Sequence, residues 1–277
     1  MKKIVFFDID GTLLDDEKNL PASTKEAIKT LQEKGIYTAI ATGRAPFMVT
    51  KLLEELNMES FVSFNGQYVV FRNEVVYANP LDTSELKKLI KSAEDHLHHL
   101  VFLNESTLKS NVKFDQRVKE SLGTLQMVHP EYDPSFYEKT DIYQALLFAK
   151  EGEDSYLTEF EKNLTFIRWH EESMDVVPKG GSKAEGIKKL IERLGFEMEN
   201  VYAFGDGLND IEMLQTVGTG IAMGNAHEAV KMHADLITSN VDDNGIVNGL
   251  IKVGLLEENF EIIKTKAQAP VSDVQTF

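Results

Sequence analysis

Asp8 and Asp10, in the run Asp8-Ile9-Asp10-Gly11-Thr12, set two carboxylates one residue apart directly after the apolar stretch Ile4-Val5-Phe6-Phe7. In extended backbone alternate side chains share a face, so both carboxylates point one way and Ile9 the other. Gly11 then permits a sharp turn. Such a pair suits nucleophilic attack, proton transfer or a hard cation. Two close carboxylates in an acidic chain repel, and a cation or a shared proton is expected between them. A plain surface turn has the same composition, because Asp-x-Asp-Gly is frequent in loops.

Three further segments carry the same kind of signal. Thr42-Gly43-Arg44 offers a hydroxyl and backbone N–H groups at a helix start, which makes an anion site, or simply a helix capped by Thr42. Gly205-Asp206-Gly207-Leu208-Asn209-Asp210 offers three carboxylate or amide side chains on a glycine-punctuated turn. That is a hard-cation site, or a turn capped by Asn209 or Asp210. Lys183 opens a helix, where its charge opposes the helix dipole. Its ammonium would suit a bound phosphate, although a lone lysine is more often solvated.

The elements that position these residues follow an α/β rhythm. Lys3–Phe7, Ile36–Ala41, Phe61–Ser63, Val201–Phe204 and Thr219–Ala222 read as short apolar strands buried on both faces. Helices are expected from Pro21 to Gly35, over Pro46–Leu56, over Lys183–Leu194 ended by Gly195, and over Asp210–Gln215, Glu228–His233 and Ile246–Val253. Leu236–Ile237 fits an edge strand. Gln67–Phe71 and Glu74–Tyr77 around Arg72-Asn73 form a hairpin signal. Alternating strands and helices predict a parallel, Rossmann-like sheet with right-handed crossovers. Ligands bind at the carboxyl edge of such a sheet, and all four segments fall there. Between residues 82 and 179 the rhythm breaks into an α+β insert, with a helix at Ser84–His96, apolar stretches at Leu100–Leu103 and Tyr143–Ala149, a helix near Tyr156–Glu161, and strands at Leu164–Trp169 and Met174–Val177. The expected organisation is therefore a core domain of residues 1–81 and 180–256, a cap domain of 82–179, and a disordered tail of 257–277.

Composition narrows the function. The 277 residues carry 45 acids against 29 bases, a net charge of −16, which repels nucleic acid and anionic lipid. An anionic substrate would need a local cation, and a metal is the obvious one. Zero cysteines exclude disulfides and thiolate zinc sites. No run approaches the roughly 18 apolar residues of a membrane span, and the N-terminal run is too short for a signal core. A cytoplasmic protein is expected; its oligomeric state is not legible.

Together, Asp8-Ile9-Asp10-Gly11-Thr12-Leu13, Thr42-Gly43-Arg44, Lys183 and Gly205-Asp206-Gly207-Leu208-Asn209-Asp210 resemble the haloacid dehalogenase superfamily. The place and α+β character of the insert resemble its Cof-type branch (subfamily IIB) of small-molecule phosphatases. So do Met223-Gly224-Asn225-Ala226 and the segment from Ser239-Asn240 to Asp243-Asn244-Gly245. The similarity runs to about Leu256. It implies a magnesium-dependent phosphatase acting on a small phosphorylated metabolite, such as a sugar phosphate or a phosphorylated cofactor. Asp8 would be the nucleophile that becomes an aspartyl-phosphate, and Asp10 the acid and then the base. Magnesium would sit on the Asp8 carboxylate, the Asp10 backbone carbonyl and Asp206. Thr42, Gly43, Lys183 and Asn209 would hold phosphoryl oxygens. Asp210 would back the metal ligands or replace one. Arg44 would contact phosphate or fix the helix start through an ion pair, and Asn65 lies beside the site in such proteins.

Other features have plainer readings. His96, His98 and His99 match no zinc spacing and read as a polar helix end. His227 and His233 read as ordinary surface residues. Asn225 reads as a helix N-cap, Asn65-Gly66 as a turn or a substrate-facing pair, and Trp169 and Phe166 as cap core. Two competing functions remain open at this level: a phosphomutase of the phosphomannomutase type, and a non-catalytic phosphate or metabolite sensor. The intact Asp8/Asp10 pair speaks against the sensor. Glycosyltransferases also use Asp-x-Asp, but nothing else supports a nucleotide-sugar fold.

Overall fold

A computed structural model describes residues 2–260. Strand β1 (Ile4–Phe7) is wholly buried, as an apolar strand between two helix layers must be. It is followed by α1 (Ala22–Glu33), β2 (Tyr37–Ala41), α2 (Pro46–Glu55) and β3 (Phe61–Ser63), and then by the hairpin β4 (Tyr68–Phe71) and β5 (Glu74–Ala78). Arg72 and Asn73 both adopt positive φ, 50° and 64°, the geometry of a tight two-residue hairpin turn.

The insert comprises α3 (Thr83–Asp95), β6 (His99–Leu103), β7 (Leu108–Ser110), α4 (Gln116–Gly123), β8 (Gln144–Phe148), β9 (Leu164–His170) and β10 (Ser173–Pro178). The chain then returns through α5 (Lys183–Leu194), β11 (Val201–Gly205), α6 (Ile211–Thr216), β12 (Thr219–Ala222), α7 (Glu228–Lys231), β13 (Leu236–Ile237) and α8 (Gly245–Lys252).

Two sheets result. The core sheet has the order β13-β12-β11-β1-β2-β3-β4-β5, parallel as far as β3, with the hairpin added antiparallel at one edge. The cap sheet, β7-β6-β8-β10-β9, is antiparallel throughout. Period-two alternation divides the cap sheet into two working faces. Leu100, Phe102, Ala145, Leu147, Met174 and Val176 pack with α3. Val101, Leu103, Leu146 and Phe148 point the other way, into a cluster shared with Ala45 and Phe64 of the core. The second face therefore looks onto the carboxyl edge of the core sheet.

The α/β core with an inserted α+β cap agrees with the expectation. Three details differ. The expected helix near Tyr156–Glu161 is a 3-10 segment, Ser155–Phe160. Strand β7 and helix α4 were not foreseen. Trp169 faces the core-facing cluster and lines a cavity there, whereas Phe166 packs on the α3 side as expected. The expected tail disorder falls largely on residues 261–277, outside the described residues. Among the described residues no helix is long and apolar enough to cross a membrane.

Candidate active site

The carboxyl ends of β1, β2, β3 and β11 bring the predicted residues to one place. Asp8 continues β1 and donates its N–H to the Phe204 carbonyl of β11 (3.0 Å), so its backbone is still held by the sheet where its side chain emerges. Gly11 turns the chain with φ +78°, and a Cβ there would lie 2.2 Å from Asp206 Oδ2. Only glycine lets this loop approach the β11 loop so closely. Thr12 closes the junction by donating to Asp206 Oδ1 (2.7 Å).

Lys183, 1% exposed, stands at the first turn of α5, behind a Ser182 N-cap whose hydroxyl accepts from the Glu185 N–H. Its ammonium donates to Asp8 Oδ1 (2.5 Å) and to Asp210 Oδ1 (2.6 Å). Asp210 in turn accepts the N–H groups of Asp206 and Gly207 on Oδ2 (3.0 and 2.9 Å), which fixes the shape of that loop. Asp210 stands at the N-cap of α6 but its side chain does not cap that helix as foreseen; it braces the preceding turn and joins it to Lys183.

Asp8, Asp206 and Asp210 can each offer a carboxylate oxygen within 4.8 Å of the others, the one such group among the described residues. Three acids against one lysine leave the cluster short of positive charge. Burial pushes the Asp8 carboxyl up to about 8 despite the opposing lysine, with Asp210 and Asp206 adding to the rise. Burial also raises Asp206 to about 6, against the Thr12 hydrogen bond. Burial would lower Lys183, but Asp210 and Asp8 outweigh it and hold the ammonium charged. This donor set suits a hard divalent cation, which oxygen ligands prefer. Asp210 has both oxygens engaged, so the free capacity lies on Asp8 and Asp206.

The Asp10 carboxylate stands apart from this group. Arg44 grips it with two N–H donors (2.9 and 2.6 Å), and Lys18 adds a third contact (2.7 Å). Burial would raise its carboxyl, but the two cations outweigh that and hold it below the ordinary range. Arg44 therefore pairs across to the β1 loop and does not fix its own helix start. Helix α2 begins at Pro46 with Ala45 as N-cap, so Thr42 is not a cap. The Thr42 hydroxyl, 2% exposed, accepts the Arg44 N–H (3.1 Å), which leaves its own proton for donation to an anion.

Asn65, with φ 50°, follows β3. A Cβ at Gly43 would crowd its amide at 3.0 Å, so glycine allows this contact. Asn65 Nδ2 donates to Asp175 Oδ2 of β10 (2.8 Å), and Asn209 Nδ2 reaches Asn65 Oδ1 (3.4 Å). Burial raises the Asp175 carboxyl to about 7, against the Asn65 hydrogen bond and Lys183.

Sequence reasoning missed Thr12, Lys18 and Asp175. Only Asp175 carried a usable signal, as a lone acid inside the apolar strand Met174–Val177. Asn225 is not the helix cap expected: His227 is, while Asn225 bridges the Gly11 carbonyl (2.8 Å) and the Val241 N–H (2.9 Å). The three clustered histidines do not converge. His98 bonds Tyr156 Oη (2.9 Å), His96 stacks on that ring, and His99 faces Asp115.

Residues 5–250 match the family described as haloacid dehalogenase-like hydrolase. A presumed phosphatase, YkrA of Bacillus subtilis strain 168, is 48% identical over 255 residues, covering 92% of this chain and 99% of its own. Pyridoxal phosphate phosphatase YbhA of Escherichia coli K12 is 30% identical, covering 85% of this chain and 92% of its own. The solved structure of the HAD subclass IIB sugar phosphatase BT4131 superposes with a TM-score of 0.82 at 30% identity, over 92% of this chain and 100% of that one. On this match over most of its length, the chain belongs to the haloacid dehalogenase-like hydrolase family, in its Cof-type branch.

Proposed function

We propose that this chain is a magnesium-dependent phosphatase of a small phosphorylated metabolite, with Asp8 as its nucleophile. The observation that carries the reading is the Asp8 carboxylate, tied to buried Lys183 at 2.5 Å and flanked by Asp206 at the carboxyl edge of the sheet. The names of YbhA and BT4131 support the substrate class, a phosphorylated cofactor or a sugar phosphate.

Magnesium, held by Asp8, Asp206 and the Asp10 carbonyl, would offset the negative charge shared by nucleophile and phosphoryl group. An Asp8 oxygen attacks phosphorus, the ester P–O bond breaks, and the leaving oxygen takes a proton from Asp10. A water then attacks the aspartyl-phosphate, gives its proton to Asp10, and frees orthophosphate and Asp8. The Thr42 hydroxyl, the Gly43 N–H, the Lys183 ammonium and the Asn209 amide hold the phosphoryl oxygens, where fixed donors contribute most. Arg44 and Lys18 keep Asp10 ionised before substrate arrives. An incoming phosphoryl group that draws the guanidinium away would let Asp10 take up a proton from solvent, and that proton is the one it delivers to the leaving oxygen.

The test is Asp8→Asn, assayed by phosphate release from a panel of phosphomonoesters with and without magnesium. Turnover should fall on the order of 10⁴-fold, while the variant melts no lower than the parent, because a raised carboxyl is replaced by a neutral isostere. A variant that kept near-parental activity would exclude the covalent route.

A further inference from the structure

The cavity that opens from Asp8 and Thr42 has a volume of about 710 Å³, within the range of small-molecule sites. The core supplies its phosphoryl end, and the cap faces that end. On the core-facing side of the cap sheet, Val101, Leu146, Asp175 and Ile167 form one cross-strand row over β6, β8, β10 and β9. A carboxyl thus stands inside an otherwise apolar row, 7% exposed. Burying such a group is costly unless its oxygens find partners.

Asn65 meets half of that need. Its Nδ2 donates to Asp175 Oδ2 (2.8 Å), while Asp175 Oδ1 has no partner among the described residues. This oxygen is not sealed in the interior; it opens onto the cavity that Asp175 lines. Lys183 acts on Asp175 through space alone, because its ammonium is bonded to Asp8 and Asp210. Asp175 and Arg168 are the charged cap residues on this wall among those described, and Arg168 is turned to Asp154 (2.7 Å) and the Ala149 carbonyl (2.8 Å). The hydroxyl and amide that the cap adds there, on Thr165 and Gln144, are neutral.

Position decides which part of a substrate meets the free oxygen. The Asn65 amide that holds Asp175 also packs on Gly43 and accepts from Asn209 Nδ2 (3.4 Å), and both of those residues are assigned to the phosphoryl oxygens. Asp175 is therefore one side chain removed from the phosphoryl site, on the side where the first carbons of the leaving alcohol must lie.

Resting on the phosphatase reading above, we propose that Asp175 is a specificity-determining residue of the cap, whose Oδ1 bonds a hydroxyl on the first carbons beyond the phosphoester. A hydroxyl suits this site because it can donate to a carboxylate and accept from a carboxylic acid. With burial raising Asp175 to about 7, both forms are present near neutral pH. An alcohol without that hydroxyl leaves the carboxyl half-satisfied and is selected against.

The test pairs a change in substrate with a change in protein. Phosphate release with magnesium is measured for glycerol 1-phosphate and for propyl phosphate, which lacks the two free hydroxyls. The parent should favour the glycerol ester in kcat/KM by about 20-fold, as one hydrogen bond to a charged group allows. Asp175→Leu, close in size and matched to its apolar row, should reduce that ratio to about 2-fold. A side chain that merely latched the cap to Asn65 would slow both esters alike, so an unmoved ratio overturns the inference. Asp175→Asn keeps the shape and an acceptor for Asn65 but turns a neutral amide to the cavity. It should lower the ratio by about 3-fold, which covers the case where the leucine variant does not fold. Absence of a parental preference for the glycerol ester also overturns the inference, as does cleavage of p-nitrophenyl phosphate with neither of the two esters turned over; both leave the phosphatase reading standing. No phosphate from any of the three overturns both.

Discussion

Removing the Lys183 ammonium should destabilise the protein in a way that depends on pH. Its nitrogen lies 2.5 Å from Asp8 and 2.6 Å from Asp210, and all three side chains are largely or wholly buried. Lys183→Met preserves the aliphatic stem but leaves two buried carboxylates without their counter-ion. Breaking a buried pair this way costs about 3–5 kcal/mol. For a chain of this size each kcal/mol corresponds to about 2–4 °C in melting temperature, so the expected fall is roughly 6–20 °C. The sign of the pH dependence follows from Asp8, whose carboxyl is already raised to about 8 in the folded state, above its ordinary value of 3.8. Between those values the folded state binds more protons than the unfolded one, so stability falls as pH rises. Losing the lysine raises the carboxyl further and extends that fall to higher pH. Metal-free melts at about pH 5.5 and about pH 8 should therefore show the larger deficit at the higher pH. Lys183→Met/Asp210→Asn should recover part of it, because one carboxylate is now a neutral amide that still accepts from the loop. A Lys183→Met protein melting within about 2 °C of the parent at pH 8 would refute the claim that the lysine balances this cluster.

Magnesium should stabilise the parent more at higher pH. Protons on Asp206, raised to about 6, and on Asp8, raised to about 8, compete with the cation, so the metal-induced rise in melting temperature grows from about pH 5.5 to about pH 8.5. A constant rise across that range would detach the metal from these two acids. Arg44→Gln removes two donors from Asp10, whose carboxyl should rise; the alkaline limb of kcat/KM then moves up by about 0.5–1 pH unit, read with an aryl phosphate. An unshifted limb would take the clamp out of the mechanism. Gly11→Ala forces a side chain onto φ +78° and into Asp206, at a cost of about 1–3 kcal/mol. Its signature is a lost magnesium response alongside a lower melting temperature; an intact response would mean the two loops can part without consequence.

Helix α5 was legible almost to the residue, because Ser182 and Gly195 punctuate an amphipathic run with local chemistry. The core strands were legible too: a strand buried on both faces is apolar at every position, and each parallel strand hands its next residues to the same edge. That rule places Asp8, Thr42 and Asp206 near one another from the sequence alone. It could not say which acid takes which cation. Arg44 and Asp10 are 34 residues apart and Asn65 and Asp175 are 110 apart, and such pairings follow from packing that no local pattern encodes. Helix α4 was overlooked because its eight residues bury little beyond Val118 and Leu122. Trp169 misled because an aromatic on a strand reads the same whether it faces a core or a cavity.

The chain of bonds from Asp175 through Asn65 to Asn209 ties events on the two sheets together. Asp175 rides on the cap, while Asn65 and Asn209 both belong to the core. Any swing of the cap that carries β10 away gives up the Asp175–Asn65 bond and frees the Asn65 amide N–H groups, while Asn65 stays beside Asn209. The position of the cap is thus registered one hydrogen bond from the β11 loop, at a side chain that the core itself holds in place.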